Sequence, residues 1–260
     1  MMKKNVCMIL TAAMVSMGLT GCAQMAGVSE VKAADNDKEK IQIVTTIYPE
    51  YDWVKQVLGN RAKDAEVTLL LEDGENLHTY EPTAEDKKKI EESDLFVYVG
   101  GESDEWAEAI EDSSDVKTIN LMETLGKDAA EEDEHVWLSV KNAKAICKEI
   151  SNTLGEIDPE HAADYKANLG AYMEKLNALD YEFKSSVNGT ADKKLAVSDE
   201  KAFSNLLDDY SLSYADAKKV NTKNKHIVEL NTMEDITEDS VDYVHLMGEN
   251  LDILRQALRK

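Results

Sequence analysis

Cysteine, proline and positive charge are scarce in this 260-residue chain, which has three cysteines, three prolines and 29 basic against 52 acidic residues. Two of the cysteines, Cys7 and Cys22, lie near the start of the chain, so we expect no disulfide within the folded part. Cys147 lies in a helical pattern and is predicted to be a small buried residue. The net charge of −23 excludes a general role in nucleic-acid binding, because phosphate binding needs clustered lysine and arginine.

The apolar run at residues 6–19 is also short, with 14 residues where a stable membrane-spanning helix needs ~20. It follows the basic start MMKK and precedes the sequence LTGC, a pattern that predicts a signal peptide. LTGC resembles the lipobox of bacterial lipoproteins, which implies cleavage before Cys22 and a lipid on its sulfur. We therefore predict a signal peptide at residues 1–21 and a flexible polar tether at residues 22–40.

Familiar catalytic motifs are absent from the sequence. It contains no HExxH, GxSxG, P-loop or dinucleotide-binding fingerprint, each of which places catalytic or cofactor-binding groups at a fixed spacing. We therefore predict that the chain is not an enzyme. A metal-dependent hydrolase remains an alternative, because a catalytic zinc needs only an open coordination position and a nearby base.

The chain does have a regular alternation of β-branched runs and helical patterns. Four strands are predicted at residues 41–46, 66–71, 95–99 and 117–121, and two more at 195–198 and 227–230. Thr83 and Asp86 fit a capping box, and the apolar spacing after residue 158 predicts one long helix that ends near residue 188. Alternation of this kind predicts α/β architecture with parallel sheets, in which ligands bind beyond the carboxyl ends of the strands.

Two of the five histidines lie in acidic loops, and His78 lies at such a position. His78, in ENLHTYEPTAED, follows the second predicted strand, and His135, in EEDEHVWLSVKNA, precedes a predicted helix. Neutral imidazole is a ligand for Zn²⁺ and other divalent transition metals, and neighbouring carboxylates can fix the ring tautomer. A solvated loop residue is the alternative for each. His161, His226 and His245 are not expected to bind metal.

Several segments in order make the chain similar to the zinc/manganese-type solute-binding lipoproteins of ABC transporters: LHTYEPTAED, DLFVYVGG, DEHVWLSVKNA, DPEHAADYKANLGAYMEKLNALDYEF and YVHLMGENLDILRQAL. The resemblance implies two α/β lobes with parallel sheets, joined by a long backbone helix, with one divalent metal between them. It implies that His78 and His135 are ligands, for Zn²⁺ first and Mn²⁺ as the alternative. It also implies an extracytoplasmic, lipid-anchored monomer that delivers metal to an ABC permease in the membrane.

The remaining ligands of that family match less closely. Asp199 stands at a strand end where the family commonly has a histidine, and it is predicted as a third metal ligand or, alternatively, as the cap of a helix at residues 202–209. The family's fourth ligand, an acid, is expected on a segment between Tyr214 and His226 that is too short here, so we predict that this acid is missing.

The resulting domain prediction has a first metal-binding lobe at residues 41–139, helices including the long linker at 140–189, and an abbreviated second lobe at 190–260 with two strands. Because the second lobe is short, an acidic surface lipoprotein that has lost metal transport and serves adhesion remains a second alternative.

Overall fold

A computed structural model describes residues 40–71, 76–111, 113–128, 132–188, 194–199, 201–219, 227–234, 236 and 241–259. Residues 39–260 group into one compact unit. The predicted signal peptide, the lipid-attachment residue Cys22 and nearly all of the predicted tether lie outside the described residues. Within the described ranges, no helix combines the length and apolar character that crossing a membrane requires.

The first sheet confirms all four strands predicted before residue 139. Its strands are parallel and lie in the order β2-β1-β3-β4. They comprise β1 (Ile41–Thr45), β2 (Ala65–Leu69), β3 (Leu95–Tyr98) and β4 (Lys117–Asn120). Every residue of β3 is buried, as expected for a central strand covered on both faces. Since all four strands run the same way, the loops that follow them leave from one edge of the sheet.

A short helix follows each of these strands. They are α1 (Tyr48–Leu58), α2 (Ala84–Glu91), α3 (Trp106–Glu111) and α4 (Leu121–Thr124). The predicted capping box at the start of α2 is confirmed: the Thr83 hydroxyl oxygen accepts a hydrogen bond from the Asp86 amide at 3.2 Å, and the Asp86 carboxylate accepts one from the Thr83 amide at 3.0 Å. This reciprocal pair satisfies two amides at the helix start.

Two long helices follow the first sheet, namely α5 (Val140–Ile157) and α6 (Ala162–Val187). The 26 residues of α6 correspond to about 39 Å at 1.5 Å per residue, as the sequence predicted. The Asn168 side chain on α6 donates to the carbonyl oxygens of Val57 and Leu58 at the end of α1. Gly59 permits this contact, because a Cβ at this positive-φ position would lie 2.5 Å from Asn168 Nδ2.

The second sheet has three parallel strands in the order β6-β5-β7. These are β5 (Lys194–Val197), β6 (Ser213–Asp216) and β7 (Ile227–Val228), with α7 (Ser204–Asp209) between the first two. The prediction of only two strands was therefore wrong. The sequence of β6, SYAD, has no buried residue, so it lacks the apolar run that marks a central strand.

The last helix, α8 (Tyr243–Arg259), packs against α1 and α6. The Tyr243 ring meets Trp53 of α1 edge to face at 5.1 Å, and the Tyr243 amide donates to Asp52 Oδ2 at 3.1 Å. The end of the chain therefore lies on helices of the predicted first lobe and linker, although it follows the second sheet in sequence. The α/β class with two parallel sheets and a long helix is confirmed, and the lobe boundaries stay a prediction.

Candidate metal centre

Three potential ligands converge near the loops that follow the strands. His78, His135 and Glu234 each offer one ligand atom, and these atoms all lie within 4.8 Å of one another. His78 lies in a 3₁₀ turn (Leu77–Thr79) beyond β2, and His135 immediately precedes another (Val136–Leu138). Glu234 follows β7. The cluster thus combines segments that are far apart in sequence, and the structure brings together the two predicted histidines.

His78 is the more accessible histidine, with a side chain that is 42% exposed. Its backbone amide donates to Asn76 Oδ1 at 2.9 Å, which orients the turn. Its Nδ1 lies 2.7 Å from Ser103 Oγ and 3.0 Å from Glu134 Oε1. Its Nε2 points to the other side, 3.0 Å from Glu234 Oε1.

His135 is buried, with a side chain only 9% exposed. Its ring lies 4.9 Å from the Trp137 ring, and its Nδ1 lies 2.7 Å from Asp133 Oδ1. Burial disfavours the charged ring, but contacts with Asp133 and Glu234 outweigh this and raise the pKa of His135 to about 9. Without metal, the carboxylates therefore favour a protonated His135 near neutral pH.

Glu234 stands between the two rings. Its Oε1 is 3.0 Å from Nε2 of His78 and 3.4 Å from Nε2 of His135, yet this buried oxygen forms no hydrogen bond of normal geometry. Burial would raise the pKa of Glu234, but the contact with His135 and the hydrogen bond from Thr232 lower it. A buried carboxylate oxygen without a hydrogen bond is costly unless a cation compensates it.

Two of the three ligand–ligand separations in this cluster fit a transition-metal ion. Zn²⁺ binds imidazole nitrogen and carboxylate oxygen at ~2.0–2.2 Å, so two ligands of a tetrahedral site stand about 3.3 Å apart. The two nitrogen–oxygen separations, 3.0 and 3.4 Å, are close to that value. An ion bound by all three atoms would also neutralise the unsatisfied oxygen of Glu234.

The loop before Glu234 is held from two directions. The Trp137 indole donates to the Thr232 carbonyl oxygen at 2.7 Å, and Asn250 of α8 exchanges two hydrogen bonds with the backbone of Asn231, at 2.7 and 2.9 Å. Met233, next to Glu234, has a positive φ of 64°, a conformation that is uncommon for residues other than glycine. Tertiary contacts therefore impose the backbone conformation that presents Glu234.

Asn250→Ala is expected to weaken zinc binding as well as folding. It leaves the Asn231 amide and carbonyl without their partner, which costs roughly 1–3 kcal/mol of unfolding free energy, and it frees the loop that carries Glu234. Urea denaturation with and without zinc measures both effects. The decrease in unfolding free energy is expected to be larger with zinc than without it. The control Asn152→Ala removes an exposed contact with Glu149 and is expected to change neither value; equal losses for Asn250→Ala with and without zinc would contradict a role in the site.

Asp199 is not part of the cluster of His78, His135 and Glu234, so its role as a third ligand stays a prediction that the structure does not support. Its Oδ1 accepts hydrogen bonds from the amides of Lys201 and Ala202, each at 3.1 Å, and the residue is exposed. The carboxylate caps the turn before α7, which was the alternative that the sequence left open. The adjacent Glu200 lies outside the described residues.

Glu234 was not singled out by the sequence analysis, and the absence of the family's acid from the segment between Tyr214 and His226 stays a prediction. The acid was sought before the strand HIVEL, whereas the structure places one after it. The available signal was the one that identified His78, a ligand-type side chain beyond the carboxyl end of a parallel strand. Neither His161, which contacts Asp158 at 2.5 Å, nor the exposed His245 belongs to the cluster. His226 lies outside the described residues.

Comparison with known proteins identifies the family. The family model ZnuA, described as zinc-uptake complex component A, periplasmic, matches residues 43–227. Zinc-binding protein AdcA of Streptococcus pyogenes is 30% identical over 203 residues, which cover 67% of this chain and 39% of AdcA. The metal ABC transporter substrate-binding lipoprotein SsaB of Streptococcus sanguinis is 30% identical over 233 residues, covering 82% of this chain and 70% of SsaB.

Solved structures show the same likeness. The Zn(II)-bound ZnuA-like domain of Streptococcus pneumoniae AdcA superposes with a TM-score of 0.73 at 28% identity, covering 85% of this chain and 100% of that domain. The chain spans about two-fifths of the length of the AdcA proteins that it matches. Since the family model covers well over half of the sequence, the resemblance found in the motifs is confirmed, and the chain belongs to the ZnuA family.

Proposed function

We propose that this chain captures a divalent transition metal outside the cytoplasm and delivers it to an ABC permease. The observation that supports this most directly is the convergence of His78, His135 and Glu234. The names of its relatives agree, since AdcA is named a zinc-binding protein and SsaB a metal ABC transporter substrate-binding lipoprotein.

Zinc is the first choice of metal and manganese the second. Two imidazoles and one carboxylate form a donor set that Zn²⁺ accepts readily in a tetrahedral site. Manganese prefers more oxygen ligands, and the general order of affinities places Mn²⁺ below Zn²⁺ for a given set of nitrogen and oxygen ligands. Three ligands leave one tetrahedral position, which a water molecule can fill.

Each ligand has a distinct part in capture and release. His135 is buried and held by Asp133, so it is the immobile ligand. The exposed His78 is accessible to an ion that arrives from solvent. Glu234 approaches from the segment after β7, so a bound ion joins that segment to the loops of the first sheet. If the segment after β7 moved away from the loops of the first sheet, the ion would lose its charged ligand and be released. Delivery to a permease requires such a release.

The location follows from the start of the sequence and from the relatives. The basic start, the apolar run and LTGC support a lipid anchor at Cys22, and SsaB is named a lipoprotein. We propose that the chain is a membrane-anchored monomer outside the cytoplasm. We also propose that it is a binding protein and not an enzyme, because its three candidate ligands are accounted for by metal capture.

Metal content and selectivity test the proposal. The tag-free chain, purified from cells and analysed by elemental mass spectrometry, is expected to contain one zinc per molecule. Competition against a chromophoric chelator is expected to give tighter binding of zinc than of manganese. A chain with substoichiometric metal and no measurable zinc affinity would contradict metal capture, and tighter binding of manganese would reverse the assignment of the metal.

A further inference from the structure

We infer that Glu134, acting through Ser103 and directly, is a positioning residue that sets the tautomer of His78 and so aims its Nε2 lone pair into the metal centre. This inference rests on the proposed function for its consequence, although the tautomer itself can be observed without metal.

The hydrogen bonds around His78 Nδ1 indicate which ring nitrogen carries the proton. Ser103 has one hydroxyl proton, and it donates that proton to Glu134 Oε1 at 2.6 Å. The serine oxygen, 2.7 Å from Nδ1, can therefore only accept there. Glu134 Oε1, 3.0 Å from the same nitrogen, accepts the Ser103 proton and is also an acceptor towards Nδ1. Two acceptors face Nδ1, and one, Glu234 Oε1, faces Nε2, so we place the proton of the neutral ring on Nδ1.

The opposite nitrogen is then free to bind metal. A neutral imidazole protonated on Nδ1 has its lone pair on Nε2, and Nε2 of His78 faces Glu234 Oε1 at 3.0 Å. No hydrogen bond of normal geometry joins Nε2 to Glu234 Oε1. Carboxylate partners of ligating histidines act in this way, and losing one typically costs 10–100-fold in metal affinity.

The Glu134 side chain is fixed in the position that this role requires. Its other oxygen, Oε2, accepts a hydrogen bond from the Ser103 amide at 3.0 Å, and its side chain is only 13% exposed. Gly101 leaves the room for it, because a Cβ at that position would lie 2.2 Å from Glu134 Oε2 and 2.5 Å from Glu134 Cβ.

Because Glu134 precedes His135 in sequence and contacts His78, it also ties the two histidine loops together. The turn after β3, which carries Ser103, completes this connection. The first two ligands are thereby prearranged before an ion arrives, which reduces the ordering cost of binding.

The test reads the tautomer directly in the metal-free full-length chain. Long-range ¹H–¹⁵N spectra, recorded at a pH where the His78 ring is neutral, are expected to show a proton on Nδ1 in the wild type. In Glu134→Ala the Ser103 hydroxyl is free to donate to Nδ1, so the proton is expected to move to Nε2. Gly101→Ala, which displaces the carboxylate without removing it, is expected to have the same effect.

Zinc affinity is measured on the same proteins by chelator competition. Glu134→Ala is expected to raise the Kd about 10–100-fold. The control Glu132→Ala removes an acid from the same loop that pairs with Lys127 and not with a histidine, and it is expected to change neither tautomer nor Kd.

An unchanged His78 tautomer in Glu134→Ala would overturn the inference, as would a proton on Nε2 in the wild type. If the tautomer changed in Glu134→Ala but the Kd for zinc did not, the positioning role of Glu134 would be overturned, and the proposal of metal capture would not be affected. A wild type that shows the expected tautomer but binds no zinc would refute the proposed function alone.

Discussion

Alanine in place of Glu234, His135 or His78 is expected to abolish most of the thermal stabilisation that zinc gives the wild-type chain. A ligand that binds only the folded state stabilises it by RT ln(1 + [L]/Kd), ~2.7 kcal/mol at a hundredfold excess over Kd. For a domain of this size that corresponds to a rise in Tm of roughly 5–10 °C. Loss of one of three converging ligands raises Kd, so the shift disappears at the same zinc concentration.

The matched controls use residues of the same types outside the cluster. His161→Ala removes a histidine that contacts Asp158, and Asp199→Ala removes a turn cap. Both variants are expected to keep the full zinc-induced shift in Tm, whatever their effect on the metal-free protein. Differential scanning calorimetry with and without zinc gives the comparison. Loss of the zinc-induced rise in Tm in Asp199→Ala would indicate that Asp199 is a ligand. An equal rise in Tm in all five variants would contradict a metal centre at these residues.

The second large effect is an opposite pH dependence of metal-free stability and zinc affinity. The pKa of His135 is raised from its ordinary value of ~6.5 to about 9. A raised folded-state pKa gives stabilisation that is fully present below pH ~6.5 and is lost as pH rises through about 9. At 1.36 kcal/mol per pKa unit, the unfolding free energy of the metal-free protein is expected to fall on the order of 3 kcal/mol over that range.

Zinc affinity is expected to rise over the same range, because metal binds the neutral ring and must displace the proton. The slope contributed by His135 approaches one decade in Kd per pH unit and disappears above pH ~9. Urea denaturation of the metal-free chain and chelator competition, both from pH 6 to 10, measure the two trends.

His135→Gln serves as the reference for both measurements. Its metal-free stability is expected to lack the decline between pH 6.5 and 9. A wild type whose stability is flat over this interval would show that Asp133 and Glu234 do not hold the proton on His135.

Local sequence patterns were sufficient for most of the fold. The β-branched runs of the first sheet, the capping box of Thr83 and Asp86, and the sustained apolar spacing of α6 each predicted an element that the structure contains. These signals are short-range: a side-chain alternation, a cap and a helical period act within a few residues. The strand β6 was not predicted, because SYAD is partly exposed and has no such pattern.

The two histidines could be predicted for a related reason. Each lies next to a predicted strand or helix in a distinctive acidic loop, so its position relative to the sheet edge followed from the local pattern and from the family motifs. Asp199 shared the first property, yet its carboxylate is used by two amides of its own turn. Sequence alone does not distinguish a capping carboxylate from a ligating one, since both stand at the ends of elements.

By itself, therefore, the sequence determined the α/β alternation, the long helix, the two histidines of the acidic loops and the family. Only the tertiary structure showed that a carboxylate, Glu234, lies beside the two histidines. Glu234 reaches the histidines because Trp137 and Asn250, which are 95 and 19 residues from their partners in the chain, hold its loop. Hydrogen bonds between distant segments leave no periodic trace in a sequence, because they depend on where folded elements pack and not on the residues beside them.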